Sequence, residues 1–278
     1  MRLSRADLFS INPAARRKRE CNMFRRLREF FKTREPVAQR PRLTISPDAV
    51  HDIFAVGDVH GRLDLVREAE RKILAQPADT EKIRLVIYLG DYVDRGPDSK
   101  GVLDYLMEPL PYPFQRICIC GNHDDAFFQF AMAKSFDKRW LEFGGDATLR
   151  SYGIDSSYVL QTSPDGSELK RLMKLEVAPA HLMFLKNAPT SVRCGPYLFV
   201  HAGIMPGVPL EEQDDMDLMW MREPFLSRGP ELDLTVVHGH TATQEVVFGT
   251  RRIGVDTGAY MTDKLTVLHI GRQGVSIL

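Results

Sequence analysis

Three short apolar runs in this chain each end at a glycine followed by Asp or Asn, and this recurrence constrains the fold more than any other feature. Ile53-Phe54-Ala55-Val56 leads into Gly57-Asp58-Val59-His60-Gly61, and Leu85-Val86-Ile87-Tyr88-Leu89 into Gly90-Asp91-Tyr92-Val93-Asp94-Arg95-Gly96. Ile117-Cys118-Ile119-Cys120 leads into Gly121-Asn122-His123-Asp124. Short runs of this kind, stopped by glycine, read as buried strands. The spacing predicts strands at 52–57, 83–89 and 115–120, helices near 62–75 and 98–108, and another helix from about His123. Such alternation predicts an α/β layered domain. Open α/β sheets place ligand sites at the carboxyl ends of their strands. Here those ends carry carboxylate, imidazole and amide oxygen. One such turn alone reads equally well as a solvated turn with a helix cap. Three in succession point to a metal site, and an N/O donor set suits Mn, Fe or Zn better than Ca. Asp58 and His60 can face one ion. Asp91 can be shared between two, while Asp94 and Arg95 reach past them.

The second half is strand-rich. Tyr197-Leu198-Phe199-Val200 ends at His201-Ala202-Gly203, and residues 234–237 lead to His238-Gly239-His240-Thr241. Further strands are expected near 245–248, 252–256, 264–270 and 273–278. His201 and His240 stand where apolar strands end, as the earlier donors do, and read as further ligands. His51, His181 and His269 neighbour no motif and receive no role. Asp124 and Asp125 read as helix caps. Residues 135–190 break the rhythm with Trp140, Gly144-Gly145, Tyr152-Gly153 and a polar stretch around Ser163-Pro164-Asp165-Gly166. They form an irregular insertion with short helices near 167–175 and 179–187. It is either a cap that sets substrate choice or a structural excursion.

Charge divides the chain. Residues 1–45 hold 13 Lys/Arg against 4 Asp/Glu, while the rest holds 24 against 33, so a basic arm joins an acidic body. Residues 1–48 read as a flexible arm. Within it Met23, Phe24, Leu27, Phe30 and Phe31 share one helical face opposite Arg25, Arg26, Arg28 and Lys32. Such a short amphipathic helix gives weak contact with an anionic membrane surface or a protein. The plainer readings are a disordered tail or a helix docked on its own domain. Met23 is also a candidate translation start. The body lacks a nucleic-acid recognition motif, so any such binding would be nonspecific and salt-sensitive. Cys21, Cys118, Cys120 and Cys194 show no paired CxxC spacing and read as buried thiols of a reducing compartment. The sequence shows no apolar stretch of about 18 residues and no signal peptide, so a cytoplasmic setting is expected.

The ordered motifs GDVHG, GDYVDRG, GNHD, HAG and GHT resemble the calcineurin-like metallophosphoesterases over roughly residues 50–272. Within them the chain is similar to the phosphoprotein phosphatase branch of bacterial and lambda-phage type. Asp124 stands where the eukaryotic branch usually has Glu, and Asp256-Thr257-Gly258-Ala259 fits the bacterial pattern. The resemblance implies a four-layer β-sandwich flanked by helices, with residues 49–278 as the catalytic domain and the insertion as a cap-like element. It implies two divalent ions per chain, expected as Mn with Fe, Zn or Co as alternatives. Asp58 and His60 would bind the first, Asp91 would bridge, and Asn122, His201 and His240 would complete the second. His240 is preferred to His238 because the family ligand precedes Thr. Arg95, Asn122 and Arg222 (in a short WxRE pattern) would hold the phosphate. A metal-activated hydroxide would attack phosphorus directly, with His123 as general acid and Asp94 orienting it and favouring its protonated form.

The implied activity is hydrolysis of a phosphomonoester, with a phosphorylated serine or threonine protein ahead of small phosphoesters. The alternatives are a symmetrical dinucleoside tetraphosphatase, an RNA-decapping-type pyrophosphohydrolase and, remotely, a non-catalytic adaptor. The symmetrical hydrolases typically carry Ala in GDxxARG where this chain has Asp94, which favours the phosphatase.

Overall fold

A computed structural model describes residues 39–77, 81–133 and 135–278. The amphipathic segment at 23–32, the candidate start at Met23 and Cys21 lie outside the described residues.

The strands are β1 (Arg42–Ile45), β2 (Val50–Val56), β3 (Ile83–Tyr88), β4 (Phe114–Cys118), β5 (Ser191–Cys194), β6 (Tyr197–Val200), β7 (Thr235–His238), β8 (Val247–Gly249), β9 (Arg252–Gly254), β10 (Val267–Gly271) and β11 (Gly274–Ile277). They form two mixed sheets, ordered β1-β5-β6-β7-β9-β8 and β11-β10-β2-β3-β4. In the second sheet β2, β3 and β4 run parallel. In the first, β6, β7 and β9 run parallel. Strand alternation sorts the side chains between the two faces. Ile53, Ala55, Leu85, Ile87 and Leu268 of one sheet pack with Val192, Phe199, Val237 and Ile253 of the other in one apolar core. The opposite faces meet helices. Tyr88 of β3 donates from its hydroxyl to Glu70 at 2.9 Å, and Glu70 lies on α1 (Leu63–Leu74). Leu198, Val200 and Val236 pack against Leu218, Met221 and Phe225. The result is the expected four-layer α/β sandwich.

The other helices that matter for the site are α2 (Ser99–Met107), α3 (Asn122–Met132), α4 (Asp146–Ser151), α5 (Ser156–Thr162), α6 (Ser167–Glu176) and α7 (Pro179–Asn187). The insertion is thus more helical than its glycines and polar stretches suggest. Gly144, at φ 106°, does interrupt the helical path, so Leu141–Gly145 meets α4 at a kink. No helix among the described residues is long and apolar enough to cross a membrane.

The boundary of the body also differs from the sequence reading. Residues 39–278 form one compact unit, so 39–48 belong to it and not to the arm. The reason is pairing and burial. β1 adds to the sheet edge in parallel with β5. The Arg40 guanidinium is buried and donates to Asp125 at 2.6 Å and to the Leu185 carbonyl at 2.7 Å.

Candidate metallophosphoesterase site

Both parallel strand triplets end at the same place. The turns after β2, β3 and β4 carry Asp58, His60, Asp91, Asp94, Arg95, Asn122 and His123, and those after β6, β7 and β9 carry His201, His240 and Asp256. Hydrogen bonds between turns show that they meet. His60 N–H donates to the Asp91 carbonyl at 2.7 Å. The ring Nδ1 of His201 donates to the Leu89 carbonyl at 2.8 Å. His240 N–H donates to both Asp58 oxygens, at 3.2 and 3.0 Å.

The backbone pays for this convergence locally. His60, Asp91, Asp94, Arg95 and His240 all have positive φ, between 46° and 71°. Non-glycine residues avoid that region, and strain of this kind gathers where the surroundings over-determine a functional geometry. Asp124 supplies much of that determination. Its carboxylate accepts from the N–H groups of Asp91 (2.7 Å), Tyr92 (2.8 Å) and Gly121 (2.9 Å). It caps α3, as the sequence suggests, and also fixes the neighbouring turn. Glycine at 121 is required, because a Cβ there would collide with the Asp91 carboxylate and amide.

Among the described residues, two clusters bring ligand-type atoms within 4.8 Å of one another: His60, Asp91 and His123, and Asp91, His201 and His240. Asp91 belongs to both. One of its oxygens lies 3.4 Å from His60 Nε2 and the other 3.5 Å from His201 Nε2. Asn122 Oδ1 sits 2.8 Å from His201 Nε2 and 2.9 Å from His240 Nδ1. Asp58 stands beside these clusters, against Asp256, with its oxygens on the His240 amide. His238 faces away, its Nδ1 at the Gly239 carbonyl and its ring against Phe225. His51 and His269 flank Asp52, and His181 joins Tyr152 to Asp104, all remote from the motifs.

Proton placement tests whether these residues fit a cation. His60 commits its Nδ1 proton to the Val93 carbonyl at 2.9 Å, as His201 does to Leu89. Each therefore turns an Nε2 lone pair inward. For His201 that lone pair meets the Asn122 carbonyl oxygen, so two acceptors face each other at 2.8 Å. A shared cation resolves this conflict. The charges agree. Burial, then Asp256 and Asp91, pushes Asp58 well above the usual carboxylate range. Burial also raises Asp91 to about 7, against the pull of Arg95. Burial lowers His201 to about 4. Burial, then Arg95, holds His60 well down, and burial, then Arg222, does the same for His240. Neutral imidazoles beside crowded, desolvated carboxylates form a donor set that a divalent cation satisfies. The residues fit.

Beside the clusters lies a second constellation. His123 Nδ1 is 2.7 Å from Asp94, and Arg95 reaches His123 Nε2 at 2.8 Å and His60 Nε2 at 2.9 Å. The expectation that Asp94 keeps His123 protonated meets a counterweight, because burial and then the Arg95 guanidinium push the ring well below its ordinary range. Arg95 stacks 5.0 Å over the Tyr260 ring. Arg222 lies against His240, its Nε 3.4 Å from the ring Nε2. Asn122 Nδ2 is buried with no hydrogen-bond partner.

Four residues at the site receive no role from the sequence: Asp256, named only as part of a family pattern, Tyr260, and Trp140 and Thr148, which donate to Asp94 at 3.0 and 2.7 Å. Asp256 had a usable signal, since Ile253-Gly254-Val255 ends at it and Gly258 follows. Tyr260, Trp140 and Thr148 had none.

The calcineurin-like phosphoesterase family matches residues 51–269, and the chain belongs to that family of hydrolytic enzymes. The chain is 26% identical over 229 residues to serine/threonine-protein phosphatase 1 of Salmonella typhimurium, covering 78% of this chain and 91% of that protein. It is 25% identical over 242 residues to an asymmetrical bis(5'-nucleosyl)-tetraphosphatase of Oceanobacillus iheyensis, covering 77% and 86%. Its fold is similar to the crystal structure of a candidate diadenosine tetraphosphatase, with TM-score 0.57, 18% identity and coverage of 86% and 98%. Metallophosphoesterases depend on a dinuclear metal centre, and the clusters around Asp91 are the candidate residues for it.

Proposed function

We propose that this chain hydrolyses phosphomonoesters, with phosphoserine and phosphothreonine in proteins as its substrates. The reading is carried by one juxtaposition: a buried Asp94–His123 pair beside a carboxylate, Asp91, whose two oxygens turn to different imidazoles. Asp58, His60, Asp91, Asn122, His201 and His240 would hold two divalent ions, with Mn the expected metal. When bound, the ions would neutralise phosphate charge and lower the pKa of a bound water. The remaining work falls to the chain's own groups.

Arg95 and Arg222 are only part-buried and border the cluster, where their planar forks suit phosphate oxygens. The partnerless Asn122 Nδ2 is a third donor. To take up phosphate, Arg95 must leave His60 and His123. That move frees the His60 lone pair and lifts from His123 the charge that suppresses its protonation. A phosphate dianion at the same place favours the imidazolium further. His123 then gives its Nε2 proton to the leaving oxygen as the P–O bond breaks, water supplies the new P–O bond, and the products are an alcohol and inorganic phosphate. A reducing, cytoplasmic setting suits the free thiols Cys118, Cys120 and Cys194.

Hydrolysis of a dinucleoside tetraphosphate is the second reading, favoured by the tetraphosphatase relatives. Asp94 argues for the phosphatase, because it gives His123 an orienting partner needed for a poor alkoxide leaving group. Assaying a phosphopeptide, p-nitrophenyl phosphate and diadenosine tetraphosphate side by side decides. A higher kcat/KM for the phosphopeptide supports the proposal, and a higher value for the dinucleotide overturns it.

A further inference from the structure

We propose that Trp140 and Thr148, both from the insertion, are positioning residues that aim the Asp94 carboxylate at His123. The inference rests on His123 being the proton donor and adds what holds that donor in line. Asp94 is fully buried, and its oxygens are divided among three partners. Thr148 donates its hydroxyl to Oδ1 at 2.7 Å. Trp140 donates its indole N–H to Oδ2 at 3.0 Å, and His123 Nδ1 meets the same oxygen at 2.7 Å. An indole N–H can only donate. It therefore occupies Oδ2 as an acceptor and favours the ionised carboxylate, to which His123 Nδ1 donates, leaving Nε2 as the end that faces substrate. Thr148 also accepts from the Asp94 N–H at 2.8 Å, so one hydroxyl grips both the main chain and the carboxylate of a residue at φ 71°.

Both grips are themselves held. Trp140 is buried and stacks on Phe127, with centroids 5.2 Å apart, and against Phe130 at 4.5 Å. Both phenylalanines lie on α3, the helix that begins with Asn122 and His123. The kinked turn between Trp140 and α4 brings Gly144 to Arg95, the residue after Asp94, whose N–H donates to the Gly144 carbonyl at 3.1 Å. Phe143 from the same turn lies 5.6 Å from the His123 ring. The insertion thus packs against the acid and the carboxylate that orients it. Burial raises Asp94 well above the carboxylate range, and the Thr148 and Trp140 hydrogen bonds oppose that rise.

The test uses leaving groups of different quality. General acid catalysis matters for a poor leaving group and little for a good one. Trp140→Phe keeps an aromatic ring between Phe127 and Phe130 but removes the N–H together with the second ring, so its fold is checked by circular dichroism, and Thr148→Val removes only the hydroxyl at nearly constant shape. Each is expected to lower kcat on phenyl phosphate about tenfold and to change kcat on 2,4-dinitrophenyl phosphate less than about twofold. Thr148→Ser restores the value, and KM stays put. Equal losses on both substrates, or no loss on either, overturn the positioning role. His123→Asn serves as the reference for the underlying reading. If it shows no leaving-group-dependent loss, His123 is not the acid and the proposed mechanism fails at that point. If it shows the loss while Trp140→Phe and Thr148→Val do not, only the positioning inference falls.

Discussion

Asp124→Asn separates two effects that oppose each other at the centre of the site. The carboxylate accepts three N–H bonds, two on Oδ2 (Asp91 and Gly121) and one on Oδ1 (Tyr92). Asn has one acceptor oxygen. Placed at the Oδ2 position it keeps two bonds, now without charge assistance, and turns its NH2 toward the Tyr92 N–H. Donor then faces donor, and a fully buried N–H loses its partner. A lost bond to a charged acceptor with an orphaned donor costs about 1.5–3 kcal/mol, and weakening the other two adds to it. Against this, Asn removes repulsion with Asp91, which together with burial raises Asp124 to about 7. That relief returns part of the cost, because buried sites behave as if at an effective dielectric of about 20. The hydrogen bonds win, and a net loss of about 1–3 kcal/mol is expected. Urea unfolding of chelator-treated protein at neutral pH, with an unchanged m-value, measures it. Activity on p-nitrophenyl phosphate should fall as well, because Asp124 holds the Asp91 amide in its positive-φ conformation. A variant as stable as the parent, or more stable, would show that repulsion dominates and refute the reasoning.

Arg40→Met tests where the body begins. It leaves Asp125 buried without its guanidinium and three carbonyls at the end of α7 without a donor, so a loss of about 3–5 kcal/mol is expected by chemical denaturation; an effect within about 0.5 kcal/mol would place Arg40 with the arm after all. Burial raises the Asp52 pKa, but the adjoining His51 and His269 rings and the Arg84 guanidinium, which donates to it at 2.8 Å, outweigh that and hold it below its ordinary value. A depressed folded-state pKa stabilises above the unfolded value of about 3.9 and loses that contribution as pH falls through the folded value. Asp52→Asn should therefore lower stability at neutral pH and flatten its fall below about pH 4 in thermal melts, whereas an unchanged acid limb would contradict the assignment.

The parts of the site legible in the sequence are those built from consecutive residues. A strand, a glycine and a donor stand together in the chain, so the turns at 57–61, 90–96 and 121–124 announce both their place and their chemistry. His201 and His240 follow the same rule, and each stands at the predicted strand end. What stayed hidden depends on partners far apart. Arg40 looks like one more arm cation until Asp125, 85 residues on, gives it a buried acceptor. Trp140 and Thr148 lie 46 and 54 residues from the carboxylate they grip, inside a stretch whose glycines read as breaks. Gly144, at φ 106°, does kink the chain there, and the kink sets its carbonyl on the Arg95 N–H.

The central claim is that the Asp91 carboxylate joins two cation sites. Metal content per chain, measured by inductively coupled plasma mass spectrometry after Mn loading and desalting, addresses it directly. The parent protein should retain about two ions per chain, and Asp91→Asn, folded by circular dichroism, should retain one or none. Parent protein without stoichiometric metal, or an Asp91→Asn variant that keeps the full complement, would contradict the account.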